Sequence, residues 1–329
     1  MPNVKLTFAC GLYDRALPLY TGAVPVEGVD LNFVNIDSPR EIFDRMSGSQ
    51  EFDASEYSSS EFISRFSAKQ CPFVAIPVFP SRSFRHGFIA VNRKLVKTAK
   101  DLEGGRIGLP MYTMTAAVFI KGLLAHECGV DLSNVTWVEG QINGGDRHGN
   151  PVTMPLVKPV AIERNNSGKS LSDLLEEGKL HAVVGTSLPR ALGRNPDVVR
   201  LYPDTHAAEK EYFLRTRIFP IMHLVAIRRN VYEKHPFVAA SLYRALVAAK
   251  QHAMHKMRIQ VSLRYMLPWL ADHVAEIDEV FGGDPFPYGI EPNRPMLEEV
   301  IGHCLSQGIM TKRVAVDDIF AAGSHGLRG

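Results

Sequence analysis

"FVAIPVFPSRSFRHGFIAV", residues 73–91, holds two apolar runs on either side of a loop that packs two arginines and a histidine into five positions. The first run reads as a buried strand and "GFIAV" as the start of another. Loops between core strands need only small polar residues, so this charge marks either a solvated turn or a surface facing an anion. "IMHLVAI" at 221–227 is a second apolar run that begins beside a histidine. If the chain passes between two lobes once at each stretch, an α/β protein with a central cleft results. Such a cleft is the usual place for a small-molecule site.

The rest of the chain fits that outline. At 329 residues it exceeds one ordinary core, so two domains are expected. Apolar residues at 45% and charged residues at 22% exclude disorder and fibre. The net charge of +2, with no Lys/Arg run, excludes nucleic acid as a partner and makes any positive field local. Cys10, Cys71, Cys128 and Cys304 form no CxxC and read as reduced thiols. The start, "MPNVKLTFACGLYDR", alternates like a strand and lacks the pattern of a signal peptide. No run approaches the ~18 apolar residues of a membrane span. A soluble, cytoplasmic protein with no membrane partner is expected.

"VKLTFAC" and "VDLNFVNI" alternate as half-buried strands, and "SPREIFDRM" reads as a helix capped by Ser38 with Pro39 at its first position. In "MYTMTAAVFIKGLLAHECGV", Ala116, Phe119, Ile120, Leu123 and Leu124 share one helical face, and Gly129 ends it. "NVTWVEG" and "AVVGT" are further strands, with the helix "SLSDLLEEGKL" before the second. This alternation predicts parallel α/β sheets. "GQINGGDRHGNPVTMP" reads as an exposed loop. From Pro236 the pattern is helical, with Val238, Leu242, Leu246 and Ala249 on one face. The predicted division is 1–92 plus 223–329 as one discontinuous lobe and 93–222 as the other.

Ligands of parallel α/β folds meet strand carboxyl ends and helix starts. Four segments qualify: "GLYDR", "SEYSSSEF", "PSRSFRHG" and "YTMT". Arg82 and Arg85 are each able to fork onto a carboxylate, or else to pair structurally with Asp14, Glu56 or Glu61. Ser58, Ser60 and Thr115 offer hydroxyls that serve a ligand or merely cap helices. His86 and His223 stand on the two crossing stretches and suit proton transfer, although a lone histidine is more often a core residue. Asp14 is placed to orient one of them or to cap a turn. Other motifs fail. "NNSGKS" lacks the first glycine of a phosphate loop, which would fall at Glu163, and "HAMH" lacks the HExxH pattern. "GGDRHGN" has metal-capable groups in a loop, and no GxSxG elbow is present.

With these residues in view, the chain resembles the 4,5-dihydroxyphthalate decarboxylase family, which shares the two-lobed architecture of type II periplasmic solute-binding proteins. The matching stretches are "YDR" (13–15), "EFD" (51–53), "AIPVFPSRSFRH" (75–86) and "MTAAV" (114–118). "FPIMH" (219–223), "MLPWL" (266–270), "PYG" (287–289) and "QG" (307–308) follow in the same order. "FPSRSFRH" and "FPIMH" are the specific ones, whereas "DLEGGRIG" is shared more widely among solute-binding proteins.

The resemblance implies an enzyme acting on an aromatic ring with adjacent carboxylates and adjacent hydroxyls. Direct loss of carbon dioxide would leave an unstable aryl anion, so protonation of the carboxyl-bearing carbon must come first. His86 or His223 is then the proton donor, with the other near the hydroxyls and Asp14 supporting. Arg82 and Arg85 anchor the retained carboxylate, with Ser81, Ser58, Ser60 and Thr115. Tyr13, Phe84 and Tyr288 form a less polar wall for the leaving group. No organic cofactor is implied, since the ring is its own electron sink. A divalent metal on the catechol oxygens is left open, with Asp14, Glu56 and the histidines as its ligands, and so is assembly into a homo-oligomer. The competing readings are a non-catalytic sensor of an aromatic acid and a same-fold enzyme acting on another hydroxylated aromatic acid.

Overall fold

The computed structural model describes residues 2–144, 148–259 and 261–329. Eleven strands among them form two sheets. The first has the order β2-β1-β3-β11-β4, with β1 Val4–Cys10, β2 Val29–Asn35, β3 Ala54–Ser58, β4 Phe73–Arg82 and β11 Ile221–Arg228. The second has the order β10-β5-β9-β6-β7-β8. Its strands are β5 Ile89–Asn92, β6 Arg106–Leu109, β7 Thr136–Glu139, β8 Ile162–Arg164, β9 Ala182–Val184 and β10 Val198–Arg200. The predicted α/β architecture is therefore present, and the charged loop at 83–88 does connect a strand of one sheet to a strand of the other.

The position of the first crossing needs correcting. The sequence division puts "FIAV" in the first lobe, up to residue 92, but β5 pairs antiparallel with β9 and β10 in the second sheet. The chain therefore leaves the first sheet after Arg82. Its return through β11 begins at Ile221, close to the expected position. β4 is buried at nine of its ten positions, because β11 covers its edge and the helix Phe237–Met257 packs on it. The C-terminal helical region thus packs back on the first sheet. Phe320 also bridges to Ala75, and the Ala321 N–H donates to the Ala75 carbonyl at 2.8 Å.

Helix Pro39–Ser47 begins as predicted, with the Ser38 hydroxyl accepting from the Glu41 N–H. Helix Thr115–His126 differs from its one-faced prediction, since Thr115 through Leu124 are all buried. It is covered on a second side by the helix Arg294–Ser306. Gly122 permits that approach: a Cβ there would lie 2.2 Å from the His303 ring nitrogen. The predicted loop at 140–155 is more than an exposed turn, and the residues just after it are also tied down. The Asn150 N–H donates to Asp44 at 2.7 Å, and the Val157 N–H donates to the Gly308 carbonyl at 2.8 Å. Of the metal-capable "GGDRHGN" stretch, Gly145, Asp146 and Arg147 lie outside the described residues. Among the described residues, no helix is long and apolar enough to cross a membrane.

Candidate active site

β1 runs parallel to β3, and β11 runs antiparallel to both β3 and β4. The carboxyl ends of β1, β3 and β4 and the start of β11 therefore meet at one edge of the first sheet. That edge gathers Gly11–Tyr13, Ser58–Ser60, Ser81–Arg85 and Phe219–His223 from four remote parts of the chain. It is the edge where parallel sheets hold ligands.

A buried carboxylate organises it. Glu56, inside β3, is fully buried and accepts from four groups. These are His223 Nδ1 at 2.5 Å, the Tyr13 hydroxyl at 2.7 Å, the Gly11 N–H at 3.2 Å and the Cys10 thiol at 3.5 Å. Burial pushes the Glu56 carboxyl up. His223 beside it, together with the Tyr13 and Gly11 donors, outweighs burial and holds it below the ordinary carboxylate range. Burial, reinforced by Glu56, raises the Tyr13 phenol and the Cys10 thiol, so both remain protonated donors. With Nδ1 occupied, Nε2 of His223 has no partner among the described residues, and the side chain is 16% exposed. A histidine fixed this way has its tautomer and ring plane set by the carboxylate.

Ser58 and Ser81 flank His223 as its cross-strand neighbours. Ser58 caps helix Ser59–Ser67, and its hydroxyl lies 3.0 Å from that of Thr115, at the start of the second-lobe helix. Ser60 is also 3.0 Å from Thr115 and donates to the Thr113 carbonyl at 2.8 Å. Two helix starts, one from each lobe, therefore meet through hydroxyls. The buried hydroxyls of Ser59 and Thr113 have no partner among the described residues. Unpaired donors at helix starts favour an anion. Thr113 also lines a cleft of about 610 Å³ with Met111, Tyr112, Glu139, His148 and Arg164, at the carboxyl ends of β6, β7 and β8.

The two arginines divide. Arg82 donates to the carbonyls of Phe219 at 3.1 Å and Pro287 at 2.9 Å, and also to Asn293. Burial pulls its guanidinium down to about 9, with Tyr288 and Asp284 acting against that. Only its buried Nε is unpaired, so Arg82 ties the crossing to the C-terminal region and the expected clamp role is corrected. Arg85 donates through Nε to the Met222 sulfur at 3.2 Å and lies 5.0 Å from the Phe88 ring centre. Burial pulls it down to about 10. It makes no ion pair among the described residues, so its terminal nitrogens remain able to fork onto an anion. The carboxylates suggested as structural partners are taken elsewhere: Glu61 by Arg40, Asp14 by Arg15 and Glu56 by His223.

Replacing Arg82 by methionine would orphan three acceptors, and is expected to cost roughly 2 kcal/mol of stability at little change in substrate affinity. Arg85→Lys should do the reverse, raising KM ~10-fold at near-native stability because lysine loses the fork. Thermal melts and steady-state kinetics on both variants check this, and equal KM values for Arg85→Lys and wild type would remove Arg85 from the site.

His86 and Asp14 do not join His223. His86 packs edge-on against Tyr202 and Tyr212, both at 5.1 Å, and its buried Nδ1 has no hydrogen-bond partner. The His223 ring instead meets Phe43 and bonds to Glu56. Burial pulls His86 down to about 4, so at neutral pH it has little proton to give. Because this value lies below the unfolded one of about 6.5, the associated stability is complete above pH 6.5 and is lost as pH falls towards 4. His86→Phe should flatten the fall of melting temperature across that window, and parallel curves for the two proteins would reject the assignment. Asp14 pairs with Arg15 at 3.1 Å and is partly exposed, so the orienting role expected of it belongs to Glu56.

Tyr13 is bound to Glu56 through its hydroxyl and stacked under Arg15 at 4.3 Å, so it is only partly an apolar wall. Tyr288 is buried below Lys250, and Phe84 stacks on Phe219 at 4.5 Å. Among the described residues no three His, Cys, Asp or Glu side chains are grouped to hold a metal ion, and the set Asp14, Glu56, His86 and His223 does not assemble. Sequence reasoning missed Glu56 as the partner of His223, Asn293 as the partner of Arg82, and Tyr112 and Arg164 as cleft residues. A charged residue in "ASEYS" was the available signal for Glu56, since a strand position beside buried neighbours needs a partner.

Two sheets joined by paired crossings define a periplasmic-binding-protein-type fold, with a carboxylate–histidine pair at one edge of the first sheet. The structure overlays a periplasmic sulfonate-binding protein, SsuA, from Methylobacillus flagellatus KT (TM-score 0.55, 13% identity, 97% of this chain and 92% of that one). It likewise overlays the alkanesulfonate-binding protein SsuA from Xanthomonas axonopodis pv. citri (TM-score 0.51, 10% identity, 97% and 99%). These establish the fold. No protein-family model matches the chain. Among curated proteins, it is 31% identical over 326 residues to a 4,5-dihydroxyphthalate decarboxylase of Comamonas testosteroni, covering 98% of both chains. It is 36% identical over 215 residues to one of Pseudomonas putida, covering 65% of this chain and 83% of that one. The chain belongs to the 4,5-dihydroxyphthalate decarboxylase family, and is an enzyme of the carboxy-lyase class.

Proposed function

We propose that this enzyme decarboxylates 4,5-dihydroxyphthalate, or a close analogue, to the corresponding dihydroxybenzoate by protonating the ring in the interlobe cleft. The observation that carries the reading is the Glu56–His223 pair at 2.5 Å, which leaves Nε2 as the free ring nitrogen. His223 delivers its Nε2 proton to the carboxyl-bearing carbon while the ring's hydroxyl, para to that carbon, gives its proton to solvent and feeds electron density into the ring, the resulting phenolate taking a proton back from solvent once carbon dioxide has left. The C–C bond then breaks, carbon dioxide leaves, and its electron pair restores the aromatic ring. The new C–H keeps the proton that His223 gave. Glu56 stabilises the imidazolium before that transfer.

The retained carboxylate rests against the hydroxyls and helix starts at Ser58–Ser60 and Thr113–Thr115, with Arg85 as the arginine free to join them. Ser81 lines the approach beside His223. Expelling a neutral gas is opposed by any cation gripping the leaving group, so the departing carboxylate belongs on the less polar side. The ring serves as electron sink, and the scheme uses no organic cofactor. The four cysteines are free thiols, which suits a reducing cytoplasm as the place of work.

The test is incubation of the purified protein with carboxyl-labelled 4,5-dihydroxyphthalate, following labelled carbon dioxide and the ring protons of the product. In heavy water the product should carry one deuterium at the vacated carbon. Saturable binding with no released carbon dioxide would replace this reading with that of a sensor.

A further inference from the structure

Val261, Leu263, Met266, Leu267 and Trp269 stand on the segment that joins helix Phe237–Met257 to helix Leu270–Phe281. Val261 and Met266 are fully exposed and Trp269 is 69% exposed. Single exposed apolar side chains are ordinary, but five large ones within nine residues form a patch. A side chain at full exposure touches nothing in its own fold. Tyr265 is partly buried and lies near Asp14, so the segment is an arm that rests on its own chain there and leaves its five large apolar side chains exposed.

At the base of this arm lies an apolar socket of about 120 Å³. It is walled by Met254 and Met257 from one flanking helix, Val274 and Ile277 from the other, and Phe286, with Asp14 on its rim. None of its lining residues belongs to the arm. Each chain thus carries an apolar arm and an apolar socket, and neither fills the other.

We propose that residues 261–269 dock into the socket of a second copy of this chain, which returns its own arm in exchange, giving a two-fold dimer. Self-complementarity favours a second copy over an unrelated partner, because the exchange closes with two identical contacts. The five side chains offer roughly 700 Å² per copy for burial, against the ~800 Å² per partner of a standard interface. The composition also fits an interface core, with Met and Trp present and Arg264 the one charge in the arm. At about 120 Å³ the socket has room for an aliphatic chain such as Leu267 or Met266. Methionine walls adapt to an incoming side chain.

The proposal stands apart from the decarboxylase reading, because its readout is mass rather than turnover. Sedimentation velocity at micromolar concentration should give a dimer or a multiple of it. Leu267→Glu and Trp269→Glu on the arm, and Met254→Glu in the socket, should each weaken association at least ~30-fold with unchanged far-ultraviolet circular dichroism. Trp269 emission should shift to the red in the Leu267→Glu variant, as the indole returns to water. An arm variant mixed with a socket variant should recover part of the association, since one intact contact remains. A wild-type monomer, or an assembly indifferent to both arm substitutions, would overturn the proposal. So would a wild-type monomer that binds phosphatidylcholine–phosphatidylserine vesicles through the same residues, which would make the arm a membrane contact.

Discussion

His223→Gln is expected to lower turnover by roughly 10²- to 10⁴-fold while leaving substrate affinity nearly unchanged. Glutamine is the informative replacement. Its amide can still donate to Glu56, so the buried carboxylate keeps a partner and the strand edge keeps its shape. It cannot carry a proton to a ring carbon. Alanine would remove both functions, and the orphaned Glu56 charge would add a loss of stability that confuses the reading. The contrast is His86→Phe, which should lose far less turnover, because His86 lies in a separate aromatic setting and is neutral at working pH. Steady-state rates for both variants, with melting curves as a check on folding, decide between the two histidines. If His223→Gln turns over at the wild-type rate, the proton comes from elsewhere and the mechanism fails.

Much of this architecture was readable in the chain because strand and helix periodicities are local. The run 73–79 is apolar at nearly every position, as a strand buried on both faces must be, and it became the strand covered by β11 and a helix. The two crossings were legible because charge between core strands needs a reason. Partner choice was not legible, since it depends on register and on which side chain reaches around a strand end. Asp14 and Glu56 are both acidic residues near the first-sheet edge. Only the pairing of Val225 with Glu56 and of His223 with Ser58 brings Glu56, rather than Asp14, to the imidazole. The arginines show the same limit. Arg82 and Arg85 lie three positions apart, yet one meets carbonyls contributed by residues 219 and 287 and the other meets Met222. Such contacts join residues more than a hundred positions apart, where periodicity is silent. The boundary at residue 92 failed for a related reason, because a four-residue strand carries no mark of the sheet it joins.

Glu56→Gln is the second large effect, again a loss of turnover of roughly 10²- to 10⁴-fold, by analogy with removing the orienting carboxylate of a triad. The carboxylate accepts four hydrogen bonds through two oxygens, and an amide offers one oxygen for the same donors. Its NH2 group would face a donor, either Tyr13 and His223 on one side or Gly11 and Cys10 on the other. The imidazole then loses both its fixed tautomer and the anion that stabilises its protonated form. This substitution also has a signature that a simple packing defect lacks. Glu56 titrates lower in the fold than in the unfolded chain, where its value is about 4.3. The folded state therefore binds fewer protons there, and the stabilisation is complete above pH 4.3 and is lost as pH falls through the lower folded value. Wild-type stability should fall more steeply with acid below about pH 4.3 than that of Glu56→Gln, by at most ~1.4 kcal/mol per pH unit. Denaturant unfolding across that range measures the difference. Identical acid slopes together with undiminished turnover would show that Glu56 neither carries the charge assigned to it nor serves His223.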